Sequence, residues 1–243
     1  MSPPELSVVV PVFNEEAILS DALDELVAAL ERRGRTFEII LAENGSTDGT
    51  KDILKRRLKK DTRIRAIHFA SPNYGAALKR GIEAALGRWV ICDEIDLLDF
   101  RFYDIALPKL AQGDADLIVG SKTAQGASDR RPFVRRLATR VHNGLLRILL
   151  GFRGTDTHGL KAFRREAMLP VVKACVVDRD VFASELVVRA WRMGLRVTEV
   201  PIQLEEKRKP SVALLRRIPH VLRQLAKLVY VIRVRASSEP RLR

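Results

Sequence analysis

Short apolar runs alternate with helical stripes along the first half of the chain. Runs rich in β-branched residues predict buried parallel strands over 6–12, 36–42, 64–69, 89–92 and 116–120. Between these runs, apolar residues recur at helical spacing and predict helices over 15–33, 48–60, 75–86 and 102–110. This alternation predicts an α/β fold, with a mostly parallel central sheet covered by helices on both faces.

Polar segments follow four of the predicted strands. They are 13–16 (FNEE), 43–50 (ENGSTDGT), 93–99 (DEIDLLD) and 120–122 (GSK). Because ligands of parallel α/β sheets bind beyond the carboxyl ends of the strands, we expect these segments to converge on one site.

Composition limits the class of protein. The 243 residues are 47% hydrophobic and 30% charged, which is typical of a folded globular chain rather than a disordered one or a membrane bundle. The apolar runs are far shorter than the roughly 20 residues of a spanning helix, and the first residues do not resemble a signal peptide. Two cysteines, Cys92 and Cys175, cannot form a disulfide framework, so we expect a cytosolic location.

The formal net charge of +13 is concentrated in two segments. Residues 128–153 carry seven arginines against one acid, and residues 207–243 carry eleven lysines and arginines against one acid. Such patches indicate anionic partners. On charge alone, nucleic acid, acidic lipid and substrate phosphate all remain open.

The polar segments, in their order along the chain, resemble glycosyltransferase family 2, which has the GT-A nucleotide-diphospho-sugar transferase fold. The strongest match is 7–16 (SVVVPVFNEE), followed by 43–50 and 73–87, and the resemblance covers about residues 6–210. Within the family the chain looks most like the polyprenol-phosphate sugar transferases, the dolichol-phosphate mannosyltransferase group. This resemblance implies inverting transfer of a sugar from a GDP-mannose or UDP-glucose type donor to a polyprenyl phosphate.

The resemblance also implies a donor site. Counting seven residues on from Gly87 places Glu94 and Asp96 on the family's Asp-x-Asp, which implies Mg²⁺ or Mn²⁺ held by these carboxylates, with Asp96 as the surer ligand. Asp93 is expected to point toward the sheet or the nucleotide. The nucleotide-sugar-binding residues implied are Pro11, Phe13, Asn14, Glu15, Glu43, Asn44, Ser46, Asp93, Glu94, Lys207 and Arg208.

A basic acceptor side follows the fifth strand. The acceptor-phosphate residues implied are Lys122, Arg131, Arg135, Arg136, Asp156 and His158, and the catalytic set is Asp96, Lys122, Arg135 and Arg136. A phosphate monoester has a second pKa of about 6, so at neutral pH it needs positioning by cations rather than deprotonation. The alternative acceptor is a soluble or glycan hydroxyl, which needs a general base, with Asp156 or Asp99 available. A more remote alternative is a nucleic-acid-binding protein, which the lack of aromatics among the basic residues disfavours; we expect no nucleic acid as a partner.

The C-terminal segment has its own pattern. From Pro219 to Arg235, apolar residues at helical spacing are flanked by lysine and arginine, which predicts a helix beginning at Pro219 and lying on an anionic membrane surface. The alternative is a helix packed on its own domain or on another subunit of a homo-oligomer. We therefore expect a catalytic domain over 1–211, a basic amphipathic helix region over 212–236, a disordered tail over 237–243, and a peripheral position on the cytoplasmic face of a membrane.

Overall fold

The computed structural model describes residues 3–129, 132–179, 181–204 and 214–235. The strands are β1 Leu6–Val12, β2 Phe37–Glu43, β3 Ile64–His68, β4 Trp89–Cys92, β5 Leu117–Ser121, β6 Ser128–Asp129, β7 Lys161–Arg164, β8 Val197–Pro201 and β9 Gln203–Leu204. The helices are α1 Leu19–Arg32, α2 Thr50–Lys60, α3 Tyr74–Ala84, α4 Phe100–Gln112, α5 Phe133–Leu150, α6 Arg165–Ala174, α7 Phe182–Arg192 and α8 Leu214–Tyr230, and a π-helical turn, Val231–Arg235, follows α8.

Seven strands form the central sheet in the order β3-β2-β1-β4-β7-β5-β8. All neighbours pair in parallel except β7, which runs antiparallel to both β4 and β5. A two-stranded sheet of β6 and β9 lies apart from it. The predicted α/β fold with a mostly parallel sheet is therefore confirmed.

Alternation within the strands divides the core into two layers. In β1, Val8 and Val10 face one way and pack with helices α1, α2 and α4, whereas Val9 faces the other way and packs with α3, α6 and α7. Strands that are buried on both faces need apolar residues at nearly every position, which is why they appear in the sequence as continuous apolar runs.

Several elements differ from the prediction. Strand β7 and helix α6 were not predicted, because β7 has only four residues, two of them charged, and α6 contains Pro170. Helix α8 begins at Leu214 rather than at Pro219, which lies inside it. None of the described helices is long and apolar enough to cross a membrane.

The interfacial interpretation of α8 is wrong for its apolar stripe. Leu225, Leu228 and Ile232 are 3%, 0% and 1% exposed and belong to the core layer that also holds residues of α6 and α7, and α8 packs against α5. The helix thus packs on its own domain, which was the alternative interpretation of the sequence. The predicted tail, 237–243, lies outside the described residues.

The strand order fixes where a ligand binds. The order in which strands are added to the sheet reverses at β1, since β2 and β3 lie on one side of it and β4 on the other. In open α/β sheets the crevice at such a switch point is the usual binding site. The segments that follow β1 and β4 meet there.

Candidate active site

An open cleft lies at the carboxyl ends of β1, β2 and β4. Three polar segments predicted from the sequence converge on it, together with the residue that opens α3. The lining residues are Pro11, Val12, Phe13, Glu15, Asn44, Tyr74, Glu94, Ile95 and Asp96. The structure thus brings together the predicted donor-site residues Pro11, Phe13, Glu15, Asn44, Glu94 and Asp96.

Two carboxylates face this cleft. Glu94 and Asp96 follow β4, and the Tyr74 hydroxyl lies 3.5 Å from Glu94 Oε1. The pKa of Glu94 is raised, first by burial and then by the negative charge of Asp96, while the Lys122 and Lys161 ammonium groups oppose the rise. The two acids are therefore close enough to repel each other.

A divalent cation fits this donor set. Hard cations such as Mg²⁺ bind through one or two carboxylates and complete their coordination with phosphate oxygens and water. Within the part of the chain that the structure describes, no group of three or more His, Cys, Asp or Glu side chains is arranged to hold a metal by itself. Glu94 and Asp96 supply the carboxylates, and the phosphates of a bound diphosphate would have to supply further ligands.

Reciprocal hydrogen bonds clamp the loops after β1 and β2 together. The Asn14 amide donates to Ser46 Oγ at 3.1 Å, and the Thr47 amide donates to Asn14 Oδ1 at 2.8 Å. Asn14 has a positive φ of 54°, a conformation that asparagine adopts more readily than most residues. The Glu15 amide donates to Thr50 Oγ1 at 2.8 Å. The clamp fixes the backbone from which Phe13 and Glu15 reach the cleft.

Three predicted donor residues support the cleft without lining it. Glu43 is fully buried, accepts from the Ser46 amide and lies 3.2 Å from His68 Nδ1; burial opposes ionisation, but these hydrogen bonds outweigh it and lower the pKa of Glu43. The Ser46 hydroxyl already accepts a hydrogen bond from the Asn14 amide. Asp93 accepts from the Tyr103 hydroxyl at 2.7 Å, and burial raises its pKa to about 7. Glu43, Ser46 and Asp93 thus have protein partners beneath the cleft, and their contact with a nucleotide stays a prediction.

A second polar cluster lies at the carboxyl end of β5, around Lys122 and Asp156. Lys122 Nζ and Asp156 Oδ2 are 3.1 Å apart, with side-chain exposures of 7% and 0%. Asp156 Oδ1 also accepts from the Thr157 and His158 amides at 2.7 and 3.0 Å. Burial raises the pKa of Asp156, but Lys122 and these amides lower it further, so this carboxylate is held ionised.

His158 stands beside a second histidine in this cluster. Its ring makes an edge contact with His142, with ring centroids 5.0 Å apart. Thr157 Oγ1 lies 3.1 Å from His158 Nδ1 and 2.9 Å from Ser184 Oγ, which in turn lies 3.1 Å from His142 Nε2. Burial, and then the neighbouring His142 and Lys122, lower the pKa of His158 to about 3. His158 is therefore a neutral hydrogen-bonding group at physiological pH.

Lys161 connects the two clusters. It is 3% exposed, although it lies on the central strand β7, and its ammonium donates to the Gly159 carbonyl at 2.8 Å. Burial lowers its pKa, while the charges of Asp156 and Glu94 favour the ammonium form. Lys161 thus interacts electrostatically with both the cleft carboxylate Glu94 and Asp156.

The predicted basic acceptor residues fall in two groups. Arg135 and Arg136 lie in the first turn of α5, two turns before His142. Further along this helix, Asn143 Nδ2 donates to the Thr155 carbonyl at 2.6 Å, which holds α5 against the segment before Asp156. Arg131 lies outside the described residues, as do Lys207 and Arg208, which the resemblance implied for the nucleotide sugar.

Sequence reasoning did not name Tyr74, His142 and Ser184 as members of the site. Lys161 lies in the segment that resembles the family's active-site loop, but the sequence did not show that this lysine would be buried in the central sheet. Tyr74 follows β3 at the carboxyl edge, where the other polar segments were sought. Ser184 and His142 carry no such signal, since single polar residues of a helix are ordinarily solvated.

The family model for glycosyl transferase family 2 matches residues 7–169. Among curated proteins, the chain is 34% identical over 237 residues to the glycosyltransferase AglD of Haloferax volcanii, which covers 95% of this chain and 38% of AglD. It is 28% identical over 214 residues to the dolichyl-phosphate beta-glucosyltransferase ALG5A of Trichomonas vaginalis, covering 83% of this chain and 66% of that protein. The chain therefore spans less than two thirds of the length of these relatives.

A solved structure is similar over most of the chain. Glucosyl-3-phosphoglycerate synthase of Mycobacterium tuberculosis, crystallised with Mn²⁺, UDP and glucosyl-3-phosphoglycerate, superposes with a TM-score of 0.65 at 21% identity, over 94% of this chain and 80% of the synthase. The likeness confirms the GT-A fold. Because the family model covers well over half of the residues, including both cleft carboxylates, the chain belongs to glycosyl transferase family 2.

Proposed function

We propose that this protein transfers a sugar from a nucleotide diphosphate sugar to a polyprenyl phosphate, with inversion at the anomeric carbon. The cleft at the switch point takes the donor. The cluster around Lys122, with the arginines that open α5, takes the phosphate of the acceptor. The protein works on the cytoplasmic face of the membrane that holds this lipid.

The cleft supports the donor half of the proposal. Phe13, 41% exposed at its mouth, offers a ring on which a base can stack, and Asn44 offers an amide beside it. Glu94 and Asp96 suit a cation bound to a diphosphate. Such a cation, Mg²⁺ or Mn²⁺, neutralises charge that develops on the diphosphate as it leaves. The UDP in the mycobacterial structure and the glucosyltransferase activity named for the Trichomonas vaginalis relative favour UDP-glucose among the donors.

The single observation that carries the acceptor half is the state of the two carboxylates available as bases. Asp99 caps α4, accepting from the Arg101 amide at 3.2 Å. Asp156 is buried, paired with Lys122 and has a lowered pKa. A general base for a hydroxyl works best with a pKa near the operating pH and free lone pairs. Asp99 is engaged as a helix cap and Asp156 as the partner of Lys122, whereas a phosphate dianion requires no base.

The reaction follows from this arrangement. An oxygen of the acceptor phosphate attacks the anomeric carbon and forms the new C–O bond. The bond from that carbon to the diphosphate breaks, and its electron pair leaves with the nucleoside diphosphate. Lys122 and the α5 arginines position the attacking phosphate. Asp156 holds Lys122 in place. His158 is neutral, so it does not compete with Lys122 for the acceptor phosphate.

Two assays test the proposal. In a thermal-shift panel of UDP and GDP sugars with Mn²⁺ or Mg²⁺, a matching donor raises the Tm, because binding to the native state stabilises it. Release of nucleoside diphosphate is then measured with and without polyprenyl phosphate. We expect release to depend on the polyprenyl phosphate. A panel in which no nucleotide sugar raises the Tm, or release that ignores the acceptor, contradicts the proposal.

A further inference from the structure

Helix α5 carries an apolar stripe on its solvent side. We call these five residues the α5 stripe: Phe133, Val134, Leu137, Val141 and Ile148, exposed by 63%, 58%, 46%, 54% and 77%. At 3.6 residues per turn they project from an arc of about 100°. They therefore form one continuous surface along the helix rather than scattered exposed residues.

The opposite face of α5 already has its partner. Asn143, Leu146 and Leu150 are buried against the domain. Packing among the described residues thus accounts for the inner face of the helix and leaves the α5 stripe exposed. A contiguous apolar surface of this kind marks an interaction site in a water-soluble domain.

The charges beside the α5 stripe identify the occupant. Arg136, Arg140 and Arg147 recur at helical spacing along one border of it, and no acidic residue occurs between Asp129 and Asp156. An apolar stripe bordered by lysine or arginine side chains, with no acidic residue nearby, is typical of a helix that lies in the headgroup region of an anionic bilayer. The core of a protein interface is instead enriched in aromatic residues, and only Phe133 is aromatic among the five.

We propose that the α5 stripe docks the protein on an anionic lipid bilayer, with α5 lying in the plane of the headgroups. Its inner face holds the acceptor cluster, because Asn143 donates to the Thr155 carbonyl at 2.6 Å and His142 lies 3.1 Å from Ser184 Oγ. Docking therefore brings Lys122 and Asp156 to the depth of a lipid phosphate; this consequence rests on the proposed function. The proposal thus assigns to α5 the membrane contact that the sequence predicted for α8.

The test is flotation of the full chain with vesicles of phosphatidylcholine containing phosphatidylglycerol. The stripe variant combines Leu137→Ser, Val141→Ser and Ile148→Ser, all at exposed positions. The control variant combines Leu222→Ser and Tyr230→Ser, which remove exposed apolar side chains from α8 (51% and 61% exposed). Circular dichroism and Tm establish that each variant is folded.

We expect the parent chain to float with these vesicles. The partition coefficient should fall at least tenfold in the stripe variant and stay within twofold in the control variant. High salt should weaken binding without abolishing it, because the apolar contribution is not screened. Equal flotation of the stripe variant and the parent overturns the proposal. So does a parent chain that ignores vesicles and forms a dimer that the stripe variant disperses, because the α5 stripe is then a protein interface.

A second readout separates this inference from the proposed function. Transfer to a short-chain polyprenyl phosphate in detergent should persist in the stripe variant, whereas transfer to a long-chain acceptor in vesicles should fall at least tenfold. If the parent floats through the α5 stripe yet transfers sugar to neither acceptor, docking stands and the proposed function fails. If transfer occurs with both acceptors and the α5 stripe does not affect flotation, the docking proposal fails alone.

Discussion

At the scale of single residues, the acids near the carboxyl edge of the sheet differ by what surrounds them. Glu94 and Asp96 face the open cleft. Asp93, directly before them, is buried against Tyr103, and Asp156 is paired with Lys122. The same residue type therefore serves as a candidate metal ligand at one position and as a fixed structural group at another.

Replacing Asp96 tests the metal role of the cleft carboxylates. Asp96→Asn should reduce Mn²⁺-dependent donor affinity by about 100-fold or more, since even outer-shell partners of metal ligands contribute about 10- to 100-fold. Glu94→Gln should weaken binding less. Isothermal titration of the donor with and without Mn²⁺ measures both effects.

Asp99→Asn is the matched control for this pair. Asp99 is a nearby acid outside the cleft, and asparagine caps a helix as well as aspartate does. Its donor affinity should equal that of the parent. Metal-dependent affinity that survives in a folded Asp96→Asn protein would remove Asp96 from the site.

His158 should impose a pH dependence on stability. Its folded pKa, about 3, lies below the unfolded value near 6.5, so between these values the unfolded state binds the additional proton. The neutral His158 therefore does not reduce the free energy of unfolding above pH 6.5. Below that pH its resistance to protonation lowers this free energy by up to about 1.4 kcal/mol per pH unit. Asp93, whose pKa is raised to about 7, contributes the opposite slope, so a variant must be compared with its parent.

His158→Asn removes this titration. Urea unfolding between pH 6.5 and 5 should show stability falling less steeply toward acid in the variant than in the parent. The window stays above the range in which Asp156, with its lowered pKa, takes up a proton. Identical slopes in the two proteins would mean that His158 is not held neutral.

At the scale of elements, the central sheet depends on a close contact between β5 and the turn before β7. The Gly120 amide donates to the Leu160 carbonyl at 2.7 Å. A Cβ added at Gly159 would collide with the Gly120 carbonyl oxygen, whereas one added at Gly144 in α5 would meet nothing within 4 Å. Only a glycine allows the Asp156 segment to approach β5 so closely.

Two alanine substitutions should therefore have opposite signs. Gly159→Ala should lower the free energy of unfolding by about 3 kcal/mol, because backbone must shift to admit the methyl group. Gly144→Ala should raise it by about 0.5–1 kcal/mol, because glycine inside a helix is unfavourable relative to alanine. Chemical denaturation measures both. A neutral Gly159→Ala would show that β5 and β7 approach each other less closely than described.

Local pattern explains which elements were predictable. Strands β1 to β5 and helices α1 to α4 follow their hydrophobic periods closely. The period of α8 was also correct, but it shows only that one face is apolar and not what covers that face. Leu228 proved to be core, while Ile148 on α5 proved to be surface. The occupant of an apolar face is set by tertiary packing, which no local pattern contains.

At the scale of the whole molecule, the topology assembles the site from distant segments. Crossover connections bring the loops after β1, β2 and β4 to one cleft, which the motif order predicted for Phe13, Asn44, Glu94 and Asp96. The acceptor cluster was only partly predictable. Lys122 and Asp156 were named, but the antiparallel insertion of β7, which carries Lys161, was not.

The cations beside the inner face of α5 and the apolar stripe on its outer face both suit a lipid phosphate as the acceptor. The inner face of α5 adjoins the Lys122–Asp156 pair, and its outer face carries the α5 stripe. The proposed acceptor, a lipid with a phosphate headgroup, would use both the cations beside the inner face and the apolar outer face. A soluble sugar acceptor would use neither the stripe nor the cations.

Paired acceptors of equal chain length test this account most directly. The purified chain, a radiolabelled nucleotide sugar and Mn²⁺ are incubated with a polyprenyl phosphate or with the corresponding free polyprenol, and label is measured in the lipid extract. The account predicts labelled lipid from the phosphate alone, because Lys122 and the α5 arginines can position a phosphate. Asp99 and Asp156, the two carboxylates predicted as bases for a hydroxyl, are engaged with α4 and with Lys122. Comparable transfer to the free polyprenol, or to a glycan hydroxyl in its place, would contradict it.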